Sequence, residues 1–190
     1  MTCVELNQWF DKGLTSEEYL SQMTVNKEEL QAGYEQFSLT ADVKERLTAL
    51  RDKKLKVIVL TEDWCGDALL NNPVLLKIAE EAKIDVRFLL RDQNLELMDQ
   101  YLTKGTSRSI PIFVFFNEAG EEQAVWGPRA SDIQAMVDEE VGKLPPKDNP
   151  EFADKQKAMF KKFKTAFVER EDLRHVVAES LIDRLRKSVK

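Results

Sequence analysis

A short hydrophobic segment that leads directly into a cysteine is the feature that most constrains this chain. Residues 55–68 read Leu-Lys-Val-Ile-Val-Leu-Thr-Glu-Asp-Trp-Cys-Gly-Asp-Ala, and a helical pattern follows from Ala68. The apolar, β-branched run predicts a buried strand, so Cys65 falls between a strand and a helix. The free N–H groups and positive dipole end of a helix favour a thiolate there. Cys65 is therefore a candidate for chemistry, although Ala68, not a second cysteine, stands three residues later.

Composition narrows the class of protein. The 190 residues carry a formal net charge of −6, which argues against a nucleic-acid-binding protein because phosphate contacts need a basic face. No apolar run approaches the roughly 18 residues that would span a bilayer, and the first residues lack the pattern of a signal peptide. Two cysteines, Cys3 and Cys65, do not make a disulfide framework. These features predict a reduced, cytoplasmic setting.

Strand and helix patterns alternate through the middle of the chain and then give way to a hairpin. The predicted strands are residues 57–60, 86–90, 110–117 and 123–126, and the predicted helices are residues 69–82, 95–102 and 131–141. Strands separated by helices favour parallel pairing, whereas the tight turn at residues 118–120 favours an antiparallel pair. The sequence therefore predicts an α/β fold with a mixed sheet and helices on both faces.

Helical extensions are predicted on both sides of this unit. Residues 1–53 read as helical, with Thr15 and Glu18 spaced as a capping box and Asn26, Thr40 and, further along, Ser131 as helix caps. Three prolines at residues 144–150 end the middle unit, so its predicted bounds are 54–143. Residues 144–190 then form a linker and an amphipathic helix with a phenylalanine stripe among lysines. That stripe could contact a membrane surface, a partner or a second copy, or pack on its own domain.

The order of these elements, together with Trp64-Cys65-Gly66 and Ser109-Ile110-Pro111, resembles the thioredoxin family over residues 55–142. The resemblance implies a thioredoxin-like three-layer α/β/α sandwich. It also implies that Cys65 is the attacking thiol and that Pro111 is a cis proline beside it. Gly120 and Gly127 fit the family's glycines at the hairpin turn and at the end of the returning strand.

The departures from the family pattern are as informative as the matches. Thioredoxins have Cys-x-x-Cys, whereas this chain has Cys-Gly-Asp-Ala, so the resolving cysteine is replaced by Ala68. The buried carboxylate six residues before the first cysteine is replaced by Val59, and the usual proline by Asp67. The terminal extensions resemble those of bacterial thioredoxin-like proteins of undefined role.

The charges around Cys65 oppose one another. Glu62, Asp63 and Asp67 disfavour a thiolate, whereas Arg108 would offset a carboxylate, or bind a carboxylate of the substrate, if its loop abuts the motif. A solvated loop charge is the alternative for Arg108, and an inert buried thiol is the alternative for Cys65.

The remaining candidate groups give weaker indications of function. Cys3 would be a distant resolving thiol only if its Cα came within about 7 Å of that of Cys65, and an incidental terminal cysteine is the alternative. His175, the only histidine, is expected to be structural or solvated. No metal site and no cofactor are expected, because neither a zinc-ligand spacing nor a phosphate-binding glycine loop is present.

Two hypotheses follow, and the residues leave open whether the chain is an enzyme. In the first, a monothiol redox protein acts on a disulfide-containing protein or a low-molecular-weight thiol. Cys65 and Asp67 are then the candidate catalytic residues, and the candidate substrate-binding residues are Trp64, Gly66, Arg108, Ile110 and Pro111. In the second, a non-catalytic binding or scaffold module uses its helical extensions for a partner or for a homodimer through the C-terminal helix.

Overall fold

The structure is a computed structural model that describes residues 3–189, with side chains described for residues 5–189. The four strands of this part of the chain are β1 (Lys56–Thr61), β2 (Asp85–Leu90), β3 (Ile112–Phe116) and β4 (Glu122–Trp126). The helices are α1 (Cys3–Lys12), α2 (Ser16–Gln22), α3 (Lys27–Gln36), α4 (Ala41–Leu47), α5 (Gly66–Ala82), α6 (Leu95–Met98), α7 (Ser131–Gly142), α8 (Phe152–Glu169) and α9 (Glu171–Ser188). Short 3-10 turns cover Thr48–Lys53 and Arg91–Gln93. The predicted role of the Cys3 thiol lies outside the described side chains.

The strands form one mixed sheet in the order β2–β1–β3–β4. β1 pairs in parallel with β2 and antiparallel with β3, and β3 pairs antiparallel with β4. Between β3 and β4 the Gly120 N–H donates to the carbonyl of Asn117 at 2.9 Å, and Gly120 adopts a φ of +83° that favours glycine. The predicted α/β architecture with a mixed sheet is confirmed.

Side chains alternate across the sheet and bury into two cores. Val57, Val59, Phe113 and Phe115 face one core, which α5, α8 and α9 cover. The intervening strand residues face the second core, which includes residues of α1 and α6: Ile58, Leu60, Ile112, Val114, Phe116, Leu6, Phe10, Leu97 and Met98. The sheet therefore lies between two helical layers, as the resemblance to thioredoxins implied.

Side-chain caps stabilise the first turns of two of the N-terminal helices. Thr15 and Glu18 form a full capping box, and the Thr40 hydroxyl accepts from the N–H of Val43 at 3.3 Å. Asn26 instead adopts a left-handed φ of 59° and uses its amide to donate to the carbonyl of Asp63 at 2.8 Å. Nor does Ser131 cap α7, because the cap position falls on Ala130. Asn26 thus occupies the predicted N-cap position of α3 without a capping side-chain hydrogen bond, whereas the predicted cap at Ser131 is wrong.

The C-terminal segment forms two helices where the sequence predicts one. The chain turns at Arg170, which has extended backbone angles (φ −90°, ψ 103°) and an ion pair with Asp172 at 2.6 Å. No glycine or proline signals this turn. Beyond it, the buried Arg174 donates to the carbonyl of Val168 at 2.6 Å, which satisfies an acceptor in the last turn of α8.

The phenylalanine stripe packs on its own chain. Its buried members join the same core as the inward face of β1 and β3, and they are Met159, Phe163, Phe167, Val177, Leu181 and Leu185. α9 also reaches the sheet edge, where Ser180 accepts from the Trp126 indole at 2.9 Å and Arg184 donates to the Val125 carbonyl at 3.0 Å. The helical extensions therefore share the core of the sheet.

Candidate thiol site

Cys65 occupies the N-cap position of α5, at the carboxyl end of β1. The residue is only 7% exposed, and its Sγ donates a 3.5 Å hydrogen bond to the carbonyl oxygen of Ile110. The Ile110–Pro111 peptide bond is cis. The strand-to-helix junction and the loop before β3 thus meet at the sulfur.

Burial and the charge of Asp67 act in the same direction on the pKa of this thiol. Burial, followed by the charge of Asp67, raises the pKa of Cys65 to about 11, while the N–H groups of Ala68 and Asp67 and the charge of Arg129 lower it. The helix terminus therefore favours the thiolate, as expected, but desolvation outweighs it. The resting thiol is protonated at neutral pH.

Asp67 forms a bidentate ion pair with Arg129 near the sulfur. Both of its carboxylate oxygens accept from the guanidinium of Arg129, at 2.6 and 2.7 Å, and its side chain is 13% exposed. Burial raises the pKa of Asp67, and the hydrogen bonds and charge of Arg129 oppose that rise. Since both oxygens already accept guanidinium N–H groups, the geometry favours a hydrogen-bonding role for Asp67 over proton transfer.

Trp64 provides the exposed surface beside the thiol. Trp64 is 52% exposed, and the Arg91 guanidinium lies 5.0 Å from the centroid of its ring. Arg91 also donates to the carbonyl of Arg108 at 3.2 Å. Arg91 therefore connects the Trp64 indole to the loop that ends at Pro111.

The other acids of the motif are held in place. Glu62 is buried and accepts from the N–H of Asp92 at 2.8 Å. Asp63 accepts from the N–H and hydroxyl of Thr24 at 2.8 and 3.0 Å and from the N–H of Val25 at 3.3 Å. Asp63 thereby ties the loop after α2 to the end of β1.

The structure places Arg108 differently from the sequence-based expectation. Its guanidinium makes a bidentate ion pair with Asp99, at 2.6 and 2.9 Å, and its side chain is about half exposed. Arg129 is instead the cation that acts on the thiol. The expectation that Arg108 supplies charge at Cys65 gives way to Arg129, because the Arg108 guanidinium is already held by Asp99.

Three residues that make contacts around the thiol site were not predicted from the sequence: Arg129, Arg91 and Asn71. The Asn71 amide donates to the carbonyl of Pro128 at 2.8 Å, which fastens the loop after β4 to α5. Arg129 stands 62 residues from Asp67, and no local pattern signals so distant a pairing. The only signal was an aspartate early in a helix, which requires either solvent or a cation.

The described part of the chain contains neither a cluster of metal-ligating side chains nor a membrane-spanning helix. Among the side chains of residues 5–189, no cluster of three or more His, Cys, Asp or Glu residues could hold a metal ion. In the same range, no helix combines the length and apolarity that crossing a membrane requires. A cavity of about 870 Å³ opens between α2, α3, α5 and β2, and Cys65 is not among its lining residues.

Comparison with known proteins decides the family. A family model described as thioredoxin matches residues 13–142, which is more than half of the chain. The chain belongs to the thioredoxin family. Among the solved structures compared, a mutant thioredoxin from Halobacterium salinarum is 22% identical, with a TM-score of 0.34, over 58% of this chain and 91% of that one.

Two further structures match almost the whole of this thioredoxin-family chain. An HIV epitope-scaffold is 16% identical and covers 100% of both chains with a TM-score of 0.68. A protein of unknown function from Pseudomonas aeruginosa is 15% identical and covers 94% of this chain and 98% of its own, with a TM-score of 0.61. At these identities the likeness concerns the fold, and it extends to the helical extensions. The search of curated proteins found no match.

Proposed function

We propose that this thioredoxin-family chain carries out thiol–disulfide exchange with a single thiol, Cys65. The observation that carries the proposal is the position of the sulfur, at the N-terminus of α5 and 3.5 Å from the Ile110 carbonyl beside Pro111. Thiolate attack needs free helix N–H groups to stabilise the anion and a backbone edge to hold the substrate. Both surround Cys65.

The exchange balances without a second protein thiol. The Cys65 thiolate attacks a disulfide RS–SR′, forming Cys65–S–SR and releasing R′S⁻, which takes a proton from solvent. A low-molecular-weight thiolate R″S⁻ then attacks the protein-bound mixed disulfide, forms RS–SR″ and returns Cys65 as thiolate. The net result reduces one disulfide and forms another. A reducing compartment such as the cytoplasm, which the proposal implies, supplies that thiol.

The neighbouring residues shape this step. Trp64 presents an exposed aromatic face, and Gly66 leaves the start of α5 open, with nothing within 4 Å of where a Cβ would stand. Ile110 and Pro111 form the backbone edge against which an extended disulfide substrate would lie. Arg108 supports that edge through its backbone carbonyl, which accepts from Arg91, rather than by charge at the sulfur.

Cys65→Ser tests the proposal in a Cys3→Ser background. The assay follows release of glutathione from a glutathionylated peptide in the presence of reduced glutathione. We expect the Cys3→Ser protein to accelerate the release and Cys3→Ser/Cys65→Ser to reduce it to the rate without protein. Equal rates for the two variants would overturn the proposal.

A second candidate is a non-catalytic binding or scaffold module. The observation that favours it is the state of the thiol, which is 7% exposed and has a pKa raised to about 11. For its partner surface we propose the outer face of α8, where Phe160 is 55% exposed and the exposed Lys157 and Lys161 flank it. A Phe160→Ser variant that converts a dimer to a monomer in light scattering, with no Cys65-dependent exchange, would favour this candidate.

A further inference from the structure

The loop that follows β4 is packed tightly against the thiol site. Gly127 has a φ of +127°, and a Cβ there would overlap the carbonyl oxygen of Pro111 and lie 3.2 Å from the Cα of Ile112. The next residue, Pro128, is held through its carbonyl by the Asn71 amide at 2.8 Å. This loop therefore joins the backbone beside Pro111 to α5, the helix that Cys65 caps.

Arg129 emerges from that loop and is fixed by three hydrogen bonds. Two go to the Asp67 carboxylate, at 2.6 and 2.7 Å, and the third goes to the side-chain oxygen of Gln134 at 3.0 Å. Gln134 in turn donates to Asp138 at 2.8 Å. A guanidinium whose fork is filled in this way has one orientation, so its charge stays beside Asp67.

We propose that Arg129 is a positioning residue for Cys65, which holds the Asp67 carboxylate and offsets its charge, so that this acid suppresses ionisation of the thiol less than it would alone. The Asp67–Arg129 pair is neutral as a whole and lies next to the sulfur. Removing either partner leaves one uncompensated charge in a largely buried place, where screening by solvent is weak. The two removals therefore have opposite signs at Cys65.

The other titratable residues of this region are the same in every variant compared. They are Tyr19 of α2, Glu62 and Asp63 at the end of β1, and Arg91 beside Trp64. Burial raises the pKa of Tyr19, so its hydroxyl remains neutral across the pH range of the experiment. An Asp67 that has lost Arg129 also loses the hydrogen bonds and the charge that oppose the rise in its own pKa, and where it is ionised its uncompensated charge disfavours the thiolate.

The test measures the rate of iodoacetamide alkylation of Cys65 in the folded full-length protein, in a Cys3→Ser background, from pH 7 to pH 10. At pH 8 we expect Arg129→Gln to slow alkylation about tenfold and Asp67→Asn to accelerate it about tenfold, one unit of thiol pKa in each direction. The double variant Asp67→Asn/Arg129→Gln has no charge in the pair and is expected within about threefold of the parent protein.

Arg170→Gln is the matched control, because Arg170 also makes a bidentate pair with an aspartate, Asp172, but at the turn between α8 and α9. It is expected to leave the alkylation profile unchanged. If Arg129 acted only by holding the loop closed, both single variants would expose the thiol and both would speed alkylation. That result, or unchanged rates in both, would overturn the inference. If Arg129→Gln does not fold, Arg129→Lys takes its place, because lysine keeps the positive charge but loses the bidentate contact. The charge role predicts alkylation within about threefold of the parent protein, whereas opening of the loop predicts acceleration, which would overturn the inference.

The inference deepens the proposed function, but the alkylation assay does not depend on turnover. Opposite shifts together with no Cys65-dependent disulfide exchange would reject the proposed function and retain the positioning role of Arg129. Cys65-dependent exchange with unchanged alkylation rates in the variants would retain the proposed function and reject the positioning role of Arg129.

Discussion

The Cys65 sulfur donates a hydrogen bond to the Ile110 carbonyl across 3.5 Å, and these two residues are 45 positions apart in the sequence. This contact places the only described cysteine side chain against the backbone edge that precedes β3. It also withdraws the thiol proton from solvent, which agrees with the raised pKa. The reactivity of Cys65 is therefore controlled by its surroundings, and it can be measured directly.

Cys65 should react slowly in the folded protein. With a pKa of about 11 rather than about 9, its thiolate fraction at pH 8 is about a hundredfold lower than in the unfolded chain. In the Cys3→Ser background we expect alkylation at pH 8 to accelerate about a hundredfold on unfolding in urea, after correction for the effect of urea on a free thiol. Equal rates in the two states would contradict the role assigned to burial.

A cysteine in place of Ala68 should restore a dithiol cycle. Ala68 is buried in the first turn of α5, three residues after Cys65, so Ala68→Cys places a second thiol one turn away. We expect this variant to form an internal disulfide and to reduce insulin with dithiothreitol faster than the parent protein. Cys65→Ser/Ala68→Cys is the control and should lose the gain, because the attacking thiol is absent.

Gly127→Ala should destabilise the fold by more than a positive φ alone explains. The added methyl group would overlap the Pro111 carbonyl oxygen, whereas at Gly105 (φ +72°) a Cβ meets nothing within 4 Å. We expect a loss of about 1–2 kcal/mol in unfolding free energy for Gly105→Ala and at least about 2 kcal/mol more for Gly127→Ala. Urea denaturation measures both, and similar losses would show that the loop after β4 can move away from Pro111.

Asp63 should make the protein sensitive to acid. Burial raises its pKa, but hydrogen bonds from Thr24 and Val25 outweigh this and lower it overall. A lowered pKa in the folded state means that the ionised carboxylate stabilises the fold above the pKa of the unfolded chain, near 4. This contribution is lost as the pH falls through the folded value.

The corresponding variant is Asp63→Asn, compared with Asp52→Asn at an exposed aspartate. In urea titrations between pH 2.5 and pH 7, the difference in unfolding free energy between the parent protein and Asp63→Asn should shrink as the pH falls. The Asp52→Asn difference should change less. If the difference in unfolding free energy for Asp63→Asn stayed constant with pH, the charge of the Asp63 carboxylate would not be what stabilises the fold.

The local parts of the site followed from the sequence, whereas its long-range pairings did not. The β-branched run before Cys65 and the tight turn at Gly120 each specify their conformation over a few residues, and β1 and the β3–β4 hairpin form where predicted. The cation beside Asp67 could not be found in this way. Arg108 and Arg129 are both charged loop residues, and only the packing of the loop after β4 against α5 distinguishes them.

The C-terminal turn shows the same limit in another form. Residues 151–190 carry an uninterrupted helical pattern without glycine or proline, yet the chain turns at Arg170. The turn lets α8 and α9 both reach the core, and the buried Arg174 helps to satisfy the carbonyl groups that α8 leaves free. Hydrophobic periodicity records which face is buried, but it does not record where a helix reverses.

The hydrogen bond from Arg184 to the Val125 carbonyl bears on self-association through the edge of the sheet. β4 is an outer strand, and its unpaired backbone groups would offer a template for another chain to add a strand. Because Arg184 of α9 occupies one of those acceptors, α9 protects the β4 edge of the sheet from pairing with another chain. Truncation after residue 143 would expose the β4 edge of the sheet and the apolar surface on which α8 and α9 pack. We therefore expect the truncated protein to precipitate rather than to form a smaller stable domain.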